Sequence, residues 1–488
     1  MALVLGALAL RLVLLARADG FEQGDPVEYV NIAYKIAFGI GIPWWDLRPL
    51  LLSLIYVPIL YLAQLWPDPT GEVMVRALRL VSVVFSLGAV WLVYQIGRRL
   101  GGEVVGLVSG LLVAVNPVFN ELSVSTFAEV PSTFFVLLAL RCLLHTTPRR
   151  WLFGGLALGA ACMIRYQAIA FVAPIGVWAL LTETRAERRE RRAESGRPTP
   201  LSWLVSPLSF LVAGLAVAVV AQALIEIVAY GRPFHSLLVS FDYNVTSGLA
   251  PLEFGAEPFE WYALRVDEWF GLFPLALVLL GWPNLVRGPR VWGWRLIGLA
   301  AVAMFLVLSA LPHKELRFMA QVSPLLALFA GGGAGRLCAW LGGCSSERAT
   351  RAGAILGAIV LLAAGPLLVA SLRLDLSANV AYTDGPKRAA EIKPGGVLGT
   401  IPWFVPRPYT GTRLTLERMD RRIWEDRDRV AQTIEQSDFL LFPEYWLLED
   451  RYVDRLVDAR FRTIESYDNG VVLLQSKRLA EPSRPGRR

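Results

Sequence analysis

Residues 310–319 read ALPHKELRFM, which places His313, Lys314, Glu315 and Arg317 in a short gap between two long apolar runs. Cations gathered so tightly need an anionic partner. His313 and Arg317, four apart at the start of an apolar segment near 318–341, are predicted to share a helical face. A helix start adds orphan N–H donors and positive dipole to them. That set suits a phosphate. An interfacial cluster closed internally through Glu315 has the same composition.

Carboxylates come earlier. In GFEQGDPVEYVNIAYKIAFGIGIPWWDLRPL, Asp25 and Glu28 are one helical turn apart if a helix opens at Pro26. One of them could act as a general base. Asp25 could equally be an N-cap, the commoner use of Asp before Pro. Asp46 and Arg48 follow Trp44 and Trp45, a polar and aromatic mixture that interfacial anchoring also explains. Glu129 in STFAEVPSTF and Arg165 in MIRYQA fall at the ends of apolar segments. Charges at such depth are costly and usually line a cavity or pathway, although a local ion pair also satisfies them. The stretch 241–270, FDYNVTSGLAPLEFGAEPFEWYALRVDEWF, mixes aromatic and polar side chains with glycine. It suits either a loop partly covering a site or an interfacial helix.

The elements that must position these residues are membrane helices. The 488 residues are 55% hydrophobic and 18% charged, too apolar for a soluble domain. The fold class predicted is an all-α polytopic membrane protein with about eleven spans, followed by a small α/β extracytoplasmic domain. Spans are read near 2–17, 76–97, 104–119, 126–145, 151–165, 167–182, 203–229, 270–286, 293–311, 318–341 and 353–372. With the N-terminus inside, the connections GRRLGGE (97–103), HTTPRRW (145–151), RAERRERRAESGR (185–197), VRGPRVWGWR (286–295) and SSERATR (345–351) all fall on the cytoplasmic side. Asp25, Glu28, Glu129, Arg165, Lys314 and Arg317 then share the outer face, where orientation does not call for cations. Counting 49–65 as a span would reverse this, so it is read as a juxtamembrane or re-entrant helix. Residues 1–18 are read as a retained first helix rather than a cleaved signal, since no basic segment precedes them and Arg11 interrupts the apolar run.

Two domains are expected, 1–372 in the membrane, with a first outer loop at 18–75, and 373–488 outside it. Apolar runs at 395–401, 437–442 and 470–476 predict strands, and 422–436 predicts a helix. The net charge of +7 is spread over short loops rather than one aromatic-interleaved face, which argues against a nucleic-acid partner. Cys142, Cys162, Cys338 and Cys344 lie in or beside apolar segments without metal-ligand spacing, so neither disulfide nor metal is implied.

HKELRF resembles the H-K-E-x-R-F signature of family 22 glycosyltransferases, the dolichyl- or polyprenyl-phosphate-mannose-dependent mannosyltransferases of the multispanning GT-C fold. YNVTSGLAPLEFGAEPFEWY is similar to that family's Y-N-V stretch, and GDPVEY with FGIGIPWWDLR to its acidic first loop. GRRLGG and MIRYQ also occur at corresponding places in GT-C enzymes. Pro26 after Asp25, Asp46 for the usual Glu, and Phe259-Glu260 depart from the family pattern, which bears on the sugar and acceptor more than on the fold.

The resemblance implies an inverting transfer of a hexose, mannose first, from a polyprenyl- or dolichyl-phosphate carrier to a glycan or glycolipid. Asp25 would be the base, and His313, Lys314, Arg317 and Arg165 would hold the departing phosphate. Glu28, Asp46, Arg48, Glu129, Tyr243, Asn244, Trp261 and Glu315 would complete substrate binding. No metal or other cofactor is required by this scheme. Partners are the lipid-phosphate donor, the acceptor and membrane lipid, in a membrane expected to be a prokaryotic plasma membrane with the site outside. Transfer of arabinose, aminoarabinose or glucose is the alternative within enzymes. A glycolipid transporter is a weaker one, because the charge gathers at one face and no repeat is present.

Overall fold

The computed structural model describes residues 1–480 apart from 23, 40–45, 67–70, 146, 194–205, 248, 289, 343–345, 377–379, 402–403, 411–413, 420–423 and 425. Trp44 and Trp45 therefore lie outside the described residues. The chain divides into two compact units, one of Met1–Leu14, Trp45–Leu52 and Val81–Asp375, the other of Leu15–Trp44, Ser53–Leu80 and Leu376–Arg488.

The first unit is helical. Its apolar core includes Leu137, Leu140, Leu158, Phe171, Ile297 and Leu328, all fully buried. Helix Pro207–Tyr230 illustrates how the sequence sets an element. Ser206 caps it, accepting from the Ser209 N–H at 3.3 Å, Pro207 occupies the first turn, and Gly231 ends it in the left-handed region at φ 74°. Its 24 residues span about 36 Å, enough to cross a hydrocarbon layer. Val212, Val217, Val220, Leu224 and Val228 remain exposed on it. A surface so apolar suits lipid rather than water. Its inner face packs on helix Pro148–Ile164 through small residues: a methyl on Gly155 would lie 2.2 Å from the Leu211 carbonyl oxygen, and one on Gly214 2.3 Å from that of Leu152. Only glycine permits that backbone approach.

Among the described residues, four helices are long and apolar enough to cross a membrane: Gly71–Gly101, Tyr166–Glu183, Pro207–Tyr230 and Val291–Ala310. The segment read as one span over 104–119 is instead two helices, Glu103–Val115 and Pro117–Ser123, meeting at 63°. Asn116 is extended there and its side chain caps the second helix by accepting from the Phe119 N–H at 2.9 Å, while Pro117 lacks the donor that would continue the first. Breaks of this kind, with short apolar helices such as Leu51–Ala63, leave the eleven-span count unmatched by length and composition alone.

The second unit holds helix Asp25–Phe38 and a five-stranded sheet of β1 (Gly396–Thr400), β2 (Leu414–Arg418), β3 (Phe439–Pro443), β4 (Phe461–Ser466) and β5 (Val471–Ser476), in the order β2-β1-β3-β5-β4. β1 pairs parallel with β2 and β3, and β5 antiparallel with β3 and β4. Along β3, Phe439 and Leu441 face one core while Leu440 and Phe442 face the other. A strand covered on both faces reads as an unbroken apolar run. Helix Asp25–Phe38 is tied into this unit by Asn31, whose Nδ2 donates to the Val405 carbonyl at 3.1 Å and whose Oδ1 accepts from the Arg407 N–H at 2.7 Å. Arg79 fixes the preceding chain, donating to the carbonyls of Ala18 and Gly20 at 3.1 and 3.0 Å and to Glu22 at 2.9 Å.

Candidate active site

In the first unit the HKELRF segment leaves helix Val291–Ala310 in an irregular stretch, and its backbone becomes helical only at the 3-10 turn Leu316–Gln321, before helix Ser323–Gly342. His313 and Arg317 thus do not share a helical face, contrary to the spacing argument. They meet through Glu315, which is extended at φ −138° and ψ 144°. His313 Nε2 is 2.9 Å from Glu315 Oε1, while Arg317 reaches both carboxylate oxygens, Nη2 to Oε1 at 2.6 Å and Nε to Oε2 at 2.5 Å. The Nη2 contact is a charge-assisted hydrogen bond, and the Nε contact adds ion pairing to it.

Behind it lies Glu129, fully buried at the start of helix Glu129–Leu143. Arg165 ends helix Pro148–Ile164 in an extended conformation and places Nη2 3.1 Å from Glu129 Oε1, and Arg317 Nε is 3.8 Å from the same oxygen. Two arginines from distant segments therefore converge on one buried carboxylate. The rings explain why the motif ends in Phe. Arg165 lies 5.2 Å over Phe318, and Arg317 lies 5.2 Å over Phe318 and 4.6 Å over Phe127. Cation–π contacts hold both guanidinium groups in place.

Lys314 is buried, and its ammonium donates to the Leu311 carbonyl. Burial holds its amino group below the ordinary lysine value of 10.5, with Glu257 and Glu260 pulling the other way. The loop expected to cover a site is bonded to this segment twice. The Glu257 N–H donates to the Pro312 carbonyl at 2.9 Å, and the Glu315 N–H donates to the Tyr262 hydroxyl at 3.3 Å. Tyr262 is fully buried, and burial raises its phenol well above the usual range, so it stays neutral. Beside it, the buried indole N–H of Trp261 has no hydrogen-bond partner among the described residues, and Arg265 lies 4.7 Å over its ring.

Asp46 forms a separate pair, its Oδ2 2.7 Å from His235 Nε2. Next to it Leu47 packs with Tyr243 and Ala250, which joins the Asp46–Arg48 segment to the Y-N-V stretch. Asn244, half-buried, folds back on its own turn and donates to the Ser240 carbonyl at 2.8 Å. In the second unit, Asp25 is the first residue of its helix rather than the cap. Gly24 takes that position at φ 78° without a side-chain cap bond, and Pro26 follows in the first turn. Glu28 is buried one turn on.

Sequence reasoning missed Tyr262, His235 and the network of Glu226. That carboxylate, fully buried, accepts from the Tyr166 hydroxyl at 2.9 Å and the Ser236 N–H at 3.0 Å. A lone acid inside the apolar run AQALIEIVAY was the available signal, as was the scarcity of histidine, three in the whole chain. Among the described residues no group of three or more His, Cys, Asp or Glu side chains could hold a metal ion.

The family model for Alg9-like mannosyltransferases matches residues 8–382. The chain belongs to that family. No curated protein matches it individually. Membership in this mannosyltransferase family is accompanied by the GT-C fold. The crystal structure of ArnT from Cupriavidus metallidurans bound to undecaprenyl phosphate superposes with a TM-score of 0.66 at 14% identity, covering 99% of this chain and 98% of that one. The archaeal oligosaccharyltransferase AglB from Archaeoglobus fulgidus, in complex with an inhibitory peptide and a dolichol-phosphate, gives 0.62 at 12% identity, covering 99% and 75%. The arabinofuranosyltransferase AftD from Mycobacteria gives 0.54 at 13%, covering 97% and 41%. At these identities the likeness is one of fold. The Alg9-like chain is thus a multi-pass membrane glycosyltransferase by family, fold and apolar helices.

Proposed function

We propose that the protein is an inverting mannosyltransferase that takes its sugar from a polyprenyl- or dolichyl-phosphate carrier and gives it to a glycan or glycolipid. The convergence of Arg165 and Arg317 on buried Glu129, beside buried Lys314, carries this reading. Cations held in a partly dry place by fixed partners can stabilise a developing phosphate charge without reorganising. Their carboxylate partners keep them in place until the donor phosphate competes for the guanidinium donors.

In the proposed step the acceptor hydroxyl oxygen attacks C1 of the sugar while Asp25 takes its proton. The C1–O bond to phosphate breaks, and its electron pair leaves on the polyprenyl phosphate. A phosphate leaving group needs no proton donor, so one base is sufficient. Arg317, Lys314, Arg165 and His313 hold that phosphate. Glu129 and Glu315 position the arginines, and Glu28, Asp46, Arg48, Tyr243, Asn244 and Trp261 contact sugar or acceptor. The Trp261 N–H supplies a donor suited to a sugar oxygen.

We place the site on the extracytoplasmic face of a prokaryotic plasma membrane, with about eleven spans over 1–372 and a soluble domain over 373–488. The distribution of basic connections supports that orientation. Donor affinity tests the phosphate roles: polyprenyl-phosphate mannose should bind Lys314→Ala and Arg317→Ala at least tenfold more weakly than the unaltered protein. Unchanged affinity in both would sink the assignment.

A further inference from the structure

A second basic cluster lies at the other end of the same bundle. Helix Glu129–Leu143 has 15 residues, so its last turn is about 21 Å from Glu129. Beyond that turn, His145 Nε2 is approached by three guanidinium groups, those of Arg99 at 3.4 Å, Arg141 and Arg150. Guanidinium groups only donate, and a neutral imidazole nitrogen has one lone pair, so it can accept from only one of the three at a time and leaves the donors of the others unused. Among the described residues, none of these three arginines has a carboxylate partner. Arg290 extends the cluster by donating to the Arg99 carbonyl.

The bias of basic residues toward one side of a membrane explains why arginines are found at this end, but not why three converge on one neutral acceptor. An adjoining groove supplies the reason. Between helices Glu129–Leu143 and Pro148–Ile164 runs a cavity of about 570 Å³ whose walls include Phe135, Leu138, Cys142, Phe153 and Leu156, with Arg150 as its charged end. Phe153 is 59% exposed on a surface that otherwise suits hydrocarbon.

We propose that this groove and arginine cluster form a site for an anionic phospholipid of the adjacent leaflet, its phosphate on Arg99, Arg141 and Arg150 and an acyl chain along the groove. Basic pockets between membrane helices suit such headgroups, and each cation adds to the attraction. The site is distinct from the phosphate site proposed above and does not depend on that reading.

Native mass spectrometry of the full-length protein, titrated with phosphatidylglycerol or phosphatidylcholine of the same chains, tests it. Phosphatidylglycerol should bind at least tenfold more tightly, and Arg141→Gln with Arg150→Gln should remove the preference while leaving phosphatidylcholine binding as it was. Arg150→Gln alone, at an exposed residue, should reduce it severalfold if the double variant does not fold. A preference intact in the variants overturns the proposal. So does displacement of phosphatidylglycerol by undecaprenyl phosphate at a tenth of its concentration, which would name a different lipid, or by millimolar inorganic phosphate, which would leave the groove without a role.

Discussion

Asn31 and Arg407, 376 residues apart, are joined by a 2.7 Å hydrogen bond from the Arg407 backbone N–H to the Asn31 side-chain oxygen. With the bond from Asn31 Nδ2 to the Val405 carbonyl, one buried amide ties the helix that begins at Asp25 to the chain that leads into β2. The C-terminal segment thus holds the acidic helix in its own unit. Asn31→Ala should cost about 1–3 kcal/mol, the range for leaving buried backbone groups unpaired. Thermal unfolding measures the loss, and hydrogen exchange should rise first in amides 27–38. Equal exchange in both proteins would mean the tie is incidental.

The Glu129–Arg165 pair is buried on both sides. Removing one member leaves the other as an uncompensated charge, which costs about 3–5 kcal/mol in buried pairs. Arg165→Met should therefore lower the melting temperature more than Arg317→Met, since without Arg317 the buried Glu129 keeps Arg165 at 3.1 Å and Glu315 keeps His313 at 2.9 Å. A thermal melt of the two variants in the same detergent reads the order, and a reversed order would contradict the geometry.

Lys314 predicts a pH dependence whose sign is fixed by burial. Its folded value lies below the ordinary 10.5, so the charged form is disfavoured in the fold. The residue subtracts stability at neutral pH, and that subtraction fades as pH rises through the folded value towards the unfolded one. Under the proposed function donor binding would run the other way, because the phosphate would be held by the ammonium. Affinity for polyprenyl-phosphate mannose should begin to fall at a pH below 10.5, and Lys314→Arg should move that fall upward. A limb unmoved by the substitution would assign the titration to another group.

Tyr262→Phe removes the hydroxyl that accepts from the Glu315 N–H and leaves the ring in place. A loss of about 0.5–1.5 kcal/mol is expected in stability. If the bond also positions the Glu315–Arg317 pair, kcat should fall more than tenfold while acceptor KM is little changed. Kinetics that follow stability alone would make Tyr262 a packing residue only.

The HKELRF cluster and its two remote partners, Glu129 and Arg165, could be picked from the sequence because charge is conspicuous in an apolar chain. Their mode of assembly could not. The internal carboxylate links depend on an irregular backbone at 313–315, where helical spacing does not apply. In the second unit, β1, β3 and β5 were legible as apolar runs, whereas β2 and β4 were not. LTLER and FRTIES lie at the two edges of the sheet and carry charged residues there, as edge strands commonly do, so their alternation is weak. The break at Asn116–Pro117 escaped a reading that weighed hydropathy above the proline.

The central claim is that Asp25 begins a sugar transfer from a lipid phosphate. Radiolabelled polyprenyl-phosphate mannose, supplied with membrane lipids to the purified protein and to Asp25→Asn, tests it most directly. General-base catalysis contributes about 10²–10⁴-fold, so label should pass to a glycolipid with the unaltered protein and at least a hundredfold more slowly with the variant, at equal donor binding. An Asp25→Asn protein that folds, binds the donor and transfers mannose at the unaltered rate would contradict the account.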